Sequence, residues 1–130
     1  EDNDHDGFGS TTVAHDAYTA ISGNAVTACG ANTTDAYDND SLDCNDAHAG
    51  TKPTGTEVVA NDRDEDCSGY IACYEDLDDD GVGSATVIDG AIQATGGLGT
   101  ATCGGSLADG LDDQATDCAD TIAEVHPGAT

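Results

Sequence analysis

The stretch EDNDHDGFGS at residues 1–10 returns as EDLDDDGVGS at residues 75–84, in the same frame. The offset of 74 extends well beyond these loops. Asp2, Asp4, Asp6, Gly7, Gly9 and Ser10 fall on Asp76, Asp78, Asp80, Gly81, Gly83 and Ser84. Cys29 and Cys44 fall on Cys103 and Cys118, Asp43 and Asp46 on Asp117 and Asp120, and Pro53 on Pro127. A chain that repeats itself without a net insertion is expected to fold as repeated units, and the recurring positions show what each unit needs. The expected division is a repeat at 1–74 and a shorter one at 75–130. The first copy runs on past Pro53 through TGTEVVANDRDEDCSGY; counterparts of Cys67 and Cys73 would lie beyond Thr130 and before Glu1. Either the chain is an excerpt of a longer array, or neighbouring chains complete each other.

Acid is what recurs. The formal net charge is −25, from 27 acidic residues against only Lys52 and Arg63, while aromatics make up 4% of the chain and Trp and Met are absent. So thin a core calls for disulfides or metals as staples. The charge calls for bound cations or disorder. Acids set at ligand spacing and six cysteines argue for the former. Nucleic acid and anionic membranes are excluded as partners by repulsion. No apolar run approaches the roughly 18 residues that span a bilayer. With no signal peptide and no initiator Met, the chain reads as a processed protein or a segment of a longer one.

DNDHDG (2–7) and DLDDDG (76–81) match D-x-[DN]-x-[DN]-G, the first half of an EF-hand calcium loop. Side chains at alternate positions converge on one point, Gly allows the sharp turn, and the next carbonyl, here Phe8 or Val82, adds an oxygen. Calcium takes about six to eight such oxygens, whereas transition metals favour His or Cys. The Glu that completes an EF-hand is replaced by Val13 and Val87, and no flanking amphipathic helix is evident. The missing acids are therefore expected from DCND (43–46) and DCAD (117–120), through Asp43, Asp46, Asp117 and Asp120. A third stretch, NDRDEDCSG (61–69), sets Asp62, Asp64 and Asp66 at the same spacing, with Glu57 upstream as a bidentate partner. About two cations per complete repeat are expected. The competing reading of all these acids is a solvated charged face.

Six cysteines in a short acidic chain point to an oxidising compartment. Equal spacing within each copy predicts Cys29–Cys44 and Cys103–Cys118, leaving Cys67–Cys73 across the boundary, each worth about 3 kcal/mol in the chain-entropy model. A zinc site is disfavoured because no CxxC pair is present. Between the acidic segments, TTVAHDAYTAIS and SATVIDGAIQAT carry β-branched residues in loosely alternating runs, which predicts short strands. Val13, Ile21, Val26, Val87, Ile88 and Ile92 are the expected core, and Tyr18, Tyr37, Tyr70 and Tyr74 the cover of the acidic loops. NTT (32–34) and NDS (39–41) match the N-glycosylation sequon.

The motifs DNDHDGFG, DCND, TGTEVVANDRDEDCSG, DLDDDGVG, DCAD and HPGAT, in that order over nearly the whole chain, resemble a family of bacterial secreted metal-binding repeats. That family is of the methanotroph surface copper-protein type and is similar in style to thrombospondin type 3 calcium repeats. PTGTE and Ser68 depart from its usual P-G-A-x-E and D-x-D-C-D-G. The resemblance implies calcium, and in one branch copper. Copper is disfavoured here because Met is absent and the four His do not recur at the repeat offset.

The fold expected is mainly β with much irregular loop, in two tandem modules stapled by disulfides and Ca2+. No nucleophile elbow, phosphate loop or recurring His supports an enzyme. The favoured function is an extracellular or cell-surface calcium-binding spacer, or the subunit of a filament formed by head-to-tail self-association. The alternative is a calcium-dependent adhesion module for a surface glycan or protein.

Overall fold

The computed structural model describes residues 1–13, 20–21, 24–25, 42–106 and 110–129. Among these the regular structure is all strand, with no helix. It follows that no described helix is long and apolar enough to cross a membrane. The strands are β1 (Ala20–Ile21), β2 (Asn24–Ala25), β3 (Tyr70–Glu75), β4 (Val87–Thr95), β5 (Leu98–Gly99) and β6 (Leu111–Asp112).

Four of them form an antiparallel sheet in the order β5-β4-β3-β6. The alternating run in SATVIDGAIQAT does become a strand, β4, as its β-branched residues favour. Its pairing with β3 slips between Ile71↔Ile92 and Cys73↔Ile88, next to Gly90 at φ 82°. A bulge of this kind bends the strand and increases local twist. β4 turns into β5 through Gly96 and Gly97, both at positive φ (63° and 70°), as a tight two-residue hairpin requires. A Cβ on Gly97 would come within 2.7 Å of Asn45 Cβ and Thr51 Cγ2, so this turn packs directly on the segment that carries Asp43.

The same hairpin recurs at the offset of 74: β1 and β2 pair Ala20↔Ala25 and Ile21↔Asn24, as β4 and β5 pair Ala94↔Gly99 and Thr95↔Leu98.

The apolar core is small. Ile71, Cys73 and Cys103 are buried, with Ala60, Ala91, Ile92, Ala94 and Leu111 packed partly against them. Ile92 was expected there, but Val13 and Val87 are exposed. Ile71 takes their place because β3 is central and flanked on both edges. Tyr70 is also exposed. The side chains of Ile21 and Val26, Tyr18, Tyr37, Cys29 and both sequons lie outside the described residues.

The disulfides differ from the pairing expected from equal spacing. Cys44 bonds Cys67 and Cys73 bonds Cys103, while Cys118 is a free, exposed thiol. Cys67–Cys73 is ruled out by the strand between them, which extends at about 3.3 Å per residue. Cys29–Cys44 and Cys103–Cys118 fail because chain reversals bring other partners closer. The Lys52 N–H donates to the Glu65 carbonyl (2.7 Å), which folds Cys67 back onto Cys44. The Cys103 N–H donates to Asp62 Oδ1 (2.9 Å), which holds Cys103 under β3. Loops of 23 and 30 residues are closed, each contributing about 3.5 kcal/mol in the chain-entropy model. Two disulfides fit an oxidising environment.

Candidate metal centres

Three turns of one kind carry the acids. In the first, Asp2 accepts from the N–H groups of Asp6 (3.1 Å) and Gly7 (3.3 Å), which wraps the chain around its side chain. Asp76 does the same with Asp80 (3.2 Å) and Gly81 (3.0 Å). Asp64 does so with Ser68 (3.0 Å) and Gly69 (3.0 Å). The backbone repeats as well. The fourth residue of each turn has a positive φ (His5 62°, Cys67 58°, Asp79 55°), and so does the glycine at the sixth (Gly7 89°, Gly69 89°, Gly81 86°). Glycine fits that sixth position because it carries no Cβ to strain. Phe8 and Val82 close their turns by donating to Asp6 and Asp80, both at 2.9 Å.

The third turn is therefore Asp64-Glu65-Asp66-Cys67-Ser68-Gly69, one step later in the acidic run than the alternation of Asp62, Asp64 and Asp66 suggested. Asp62 stands outside it, bonded to the Cys103 N–H. Gly69 is the signal that fixes this register from sequence.

Each turn receives further carboxylates from elsewhere. Asp43 is held against the first by its N–H to the Gly9 carbonyl (3.0 Å), and Asp117 against the second by its N–H to Gly83 (3.0 Å). Glu57 reaches the third, accepting from the Glu65 (2.7 Å) and Asp66 (3.2 Å) N–H groups. Ligand oxygens come within 4.8 Å of one another in Asp2/Asp4/Asp6, in Glu57/Asp64/Asp66, in Asp76/Asp78/Asp80 and in Asp78/Asp117/Asp120. Asp43, Cys44 and Cys67 are equally close, but both sulfurs are in a disulfide and offer no thiolate.

Among the described residues, eight buried side-chain oxygens have no hydrogen-bond partner, and all belong to these groups. They are Oδ2 of Asp4 and Asp6 in the first group, and of Asp43 held against it. Both oxygens of Asp78, with Oδ2 of Asp80 and Asp117, lie in the second, and Glu57 Oε2 in the third. A buried, unpartnered carboxylate oxygen is costly unless something charged meets it. The chain's two basic side chains do not do so. Arg63 lies 4.0 Å from Glu65, and the Lys52 ammonium donates to the Asp6 carbonyl (3.3 Å).

The electrostatics agree. Burial pushes the Asp43 carboxyl up to about 6, against the Asn45 N–H and aided by the charges of Asp4, Asp6 and Asp46. Burial likewise raises Asp6 against the Phe8 N–H, Glu57 against the Asp66 and Glu65 N–H groups, and Asp64 against those of Gly69 and Ser68. Asp78 is raised by desolvation and then by Asp80 and Asp117. The Ile122 N–H opposes this weakly, being hydrogen-bonded to the Ala119 carbonyl instead (2.9 Å). A cation would reverse each of these shifts by favouring the charged form. These acidic groups could hold metal ions through oxygen alone; no His enters them.

Asp46 and Asp120 are placed differently. Asp46 is occupied by the Asn3 N–H (2.6 Å), the Asn3 amide (2.5 Å) and the Ser10 hydroxyl (3.0 Å). Asp120 accepts the Leu77 N–H (2.9 Å) and also reaches Asp78 and Asp117. No family model, no curated protein and no solved structure matches this chain.

Proposed function

We propose that the protein is an extracellular calcium-binding structural module, a spacer or the repeating subunit of a surface filament, with its fold held by bound Ca2+ as well as disulfides. The observation that carries this reading is the set of eight buried, partnerless carboxylate oxygens, all on the three acidic turns or on the carboxylates held against them. Oxygen-only donors on turns of D-x-D-x-[DS]-G pattern suit a hard cation, and calcium tolerates irregular geometry better than magnesium does. The proposed ligands are Asp2, Asp4, Asp6, Asp43 and the Phe8 carbonyl in the first site. Asp76, Asp78, Asp80, Asp117, Asp120 and the Val82 carbonyl form the second, and Glu57, Asp64 and Asp66 the third. The likeness to secreted calcium repeats belongs to this reading and rests on the motifs.

The structural role is supported by where the sites fall. β3 begins directly after the third turn and ends directly before the second, so two of the proposed ions cap the ends of the central strand. A strand fixed at both ends suits a stiff connecting element. Recurrence of turn, acid and hairpin at one offset suits a linear array, with repeats at 1–74 and 75–130 and head-to-tail contacts between copies.

Sedimentation velocity in saturating calcium and in chelator, across a range of concentrations, tests the filament role. Growth of large species only with calcium supports it. A monomer at all concentrations limits the function to a spacer. Calorimetric titration tests the ions separately, with three Ca2+ per chain expected.

A further inference from the structure

We propose that the Cys44–Cys67 disulfide makes the first and third cation sites one cooperative unit, coupled more tightly to each other than the first is to the second. This rests on the cation reading above and adds a coupling that the sites alone do not imply.

Cys44 follows Asp43, a residue 5% exposed whose Oδ2 is unpartnered and whose N–H holds it to the Gly9 carbonyl of the first turn (3.0 Å). Cys67 is the fourth residue of the third turn, between Asp66 and Ser68, at φ 58°. The disulfide brings these two backbones to a Cα separation of 5.6 Å, and the Cys44 N–H also donates to the Cys67 sulfur (3.2 Å). Lys52 runs parallel to this link, its N–H on Glu65 and its ammonium on the Asp6 carbonyl. Ordering the third turn around an ion therefore fixes Cys67, then Cys44, then the neighbouring Asp43. A first ion that orders shared backbone leaves less ordering for the next, which is positive cooperativity.

The second site has no such cross-link and meets the third only through β3. The counterpart of Cys44 is Cys118, a free and exposed thiol. The second turn is separated from the third by the length of β3, about 20 Å for six residues.

Gly7, Gly69 and Gly81 each donate an N–H to the first Asp of their turn, so their amide resonances report the three sites separately. A calcium titration followed by amide NMR on the full oxidised chain is compared with Glu57→Gln. The expected result is that the Gly7 midpoint moves to higher calcium by about fivefold or more, while Gly81 moves by much less. By reciprocity, Asp43→Asn moves Gly69. In a C44S/C67S background both transferred effects shrink to what the Lys52 contacts carry, and in C73S/C103S both persist in full, with Gly81 dispersion confirming that each variant is folded. A Gly7 midpoint indifferent to Glu57→Gln, or a transfer undiminished in folded C44S/C67S, overturns the coupling. Glycines that fail to respond to calcium at all overturn the cation reading itself.

Discussion

The first and second acidic turns share a backbone frame almost bond for bond. Ser10 N–H on Glu1 and Ser84 N–H on Glu75 are both 2.7 Å, and Asp43 on Gly9 and Asp117 on Gly83 are both 3.0 Å. Of the side chains in which they differ, a neutral one bears on the carboxylates. Asn3 donates its amide to Asp46, which has no free role left, whereas Leu77 at the equivalent place has no amide and leaves Asp120 near Asp78 and Asp117. The second group has four orphaned oxygens and the first three. The repeated frame decides where carboxylates stand, and a neighbouring neutral residue decides how many of them are available.

The comparison can be broken at its frame, which has the largest effect. In saturating calcium, Asp76→Ala removes the carboxylate that accepts two backbone N–H groups and serves as a ligand, and is expected to cost about 3 kcal/mol or more by chemical denaturation, with one ion lost per chain. In chelator the loss is much smaller, because a crowded charge goes too.

It can be sharpened by exchanging the neighbours. Leu77→Asn supplies the amide that would occupy Asp120 and is expected to weaken calcium at the second site by about fivefold, near 1 kcal/mol. Asn3→Leu strengthens the first site by a similar factor. Calorimetric titration reads both, and equal affinities before and after would refute the assigned role of residue 3.

Protonation gives a further contrast. With Asp43 raised to about 6 in the fold, the folded chain binds protons more tightly than the unfolded one, whose Asp titrates near 3.9. Stability without metal is then lower above pH 6 and rises as pH falls from 7 toward about 4. With calcium the trend inverts, since protons compete for the same oxygens. Melting midpoints across that window, in chelator and in calcium, should therefore slope in opposite directions.

The smallest effect is expected at Asp62. Asp62→Asn leaves the ion count unchanged and costs about 1 kcal/mol through the weakened bond to Cys103.

Much of the geometry of the acidic turns was legible because it is local. D-x-D-x-D-G spacing makes a turn whatever surrounds it, so Asp2–Asp6 and Asp76–Asp80 are found where the residues place them. The third turn was harder, since Asp62/Asp64/Asp66 and Asp64/Asp66/Ser68 alternate equally and only Gly69 distinguishes them. The disulfides were not legible from spacing. Equal separations of Cys29–Cys44 and Cys103–Cys118 reflect the repeat, whereas the bonds follow the docking of 52–69 onto 43–46 and of Cys103 beneath β3. The core was partly legible: Ile92 lies in it, but Ile71 outranks Val13 and Val87 through its central strand, a tertiary fact.

The central claim is that cations hold these buried carboxylates together. It is tested most directly by thermal unfolding of the oxidised chain, followed by circular dichroism, in calcium and then in excess chelator. The account predicts a cooperative transition in calcium that is lost or greatly lowered in chelator and returns when calcium is restored. Two superimposable melts would contradict it.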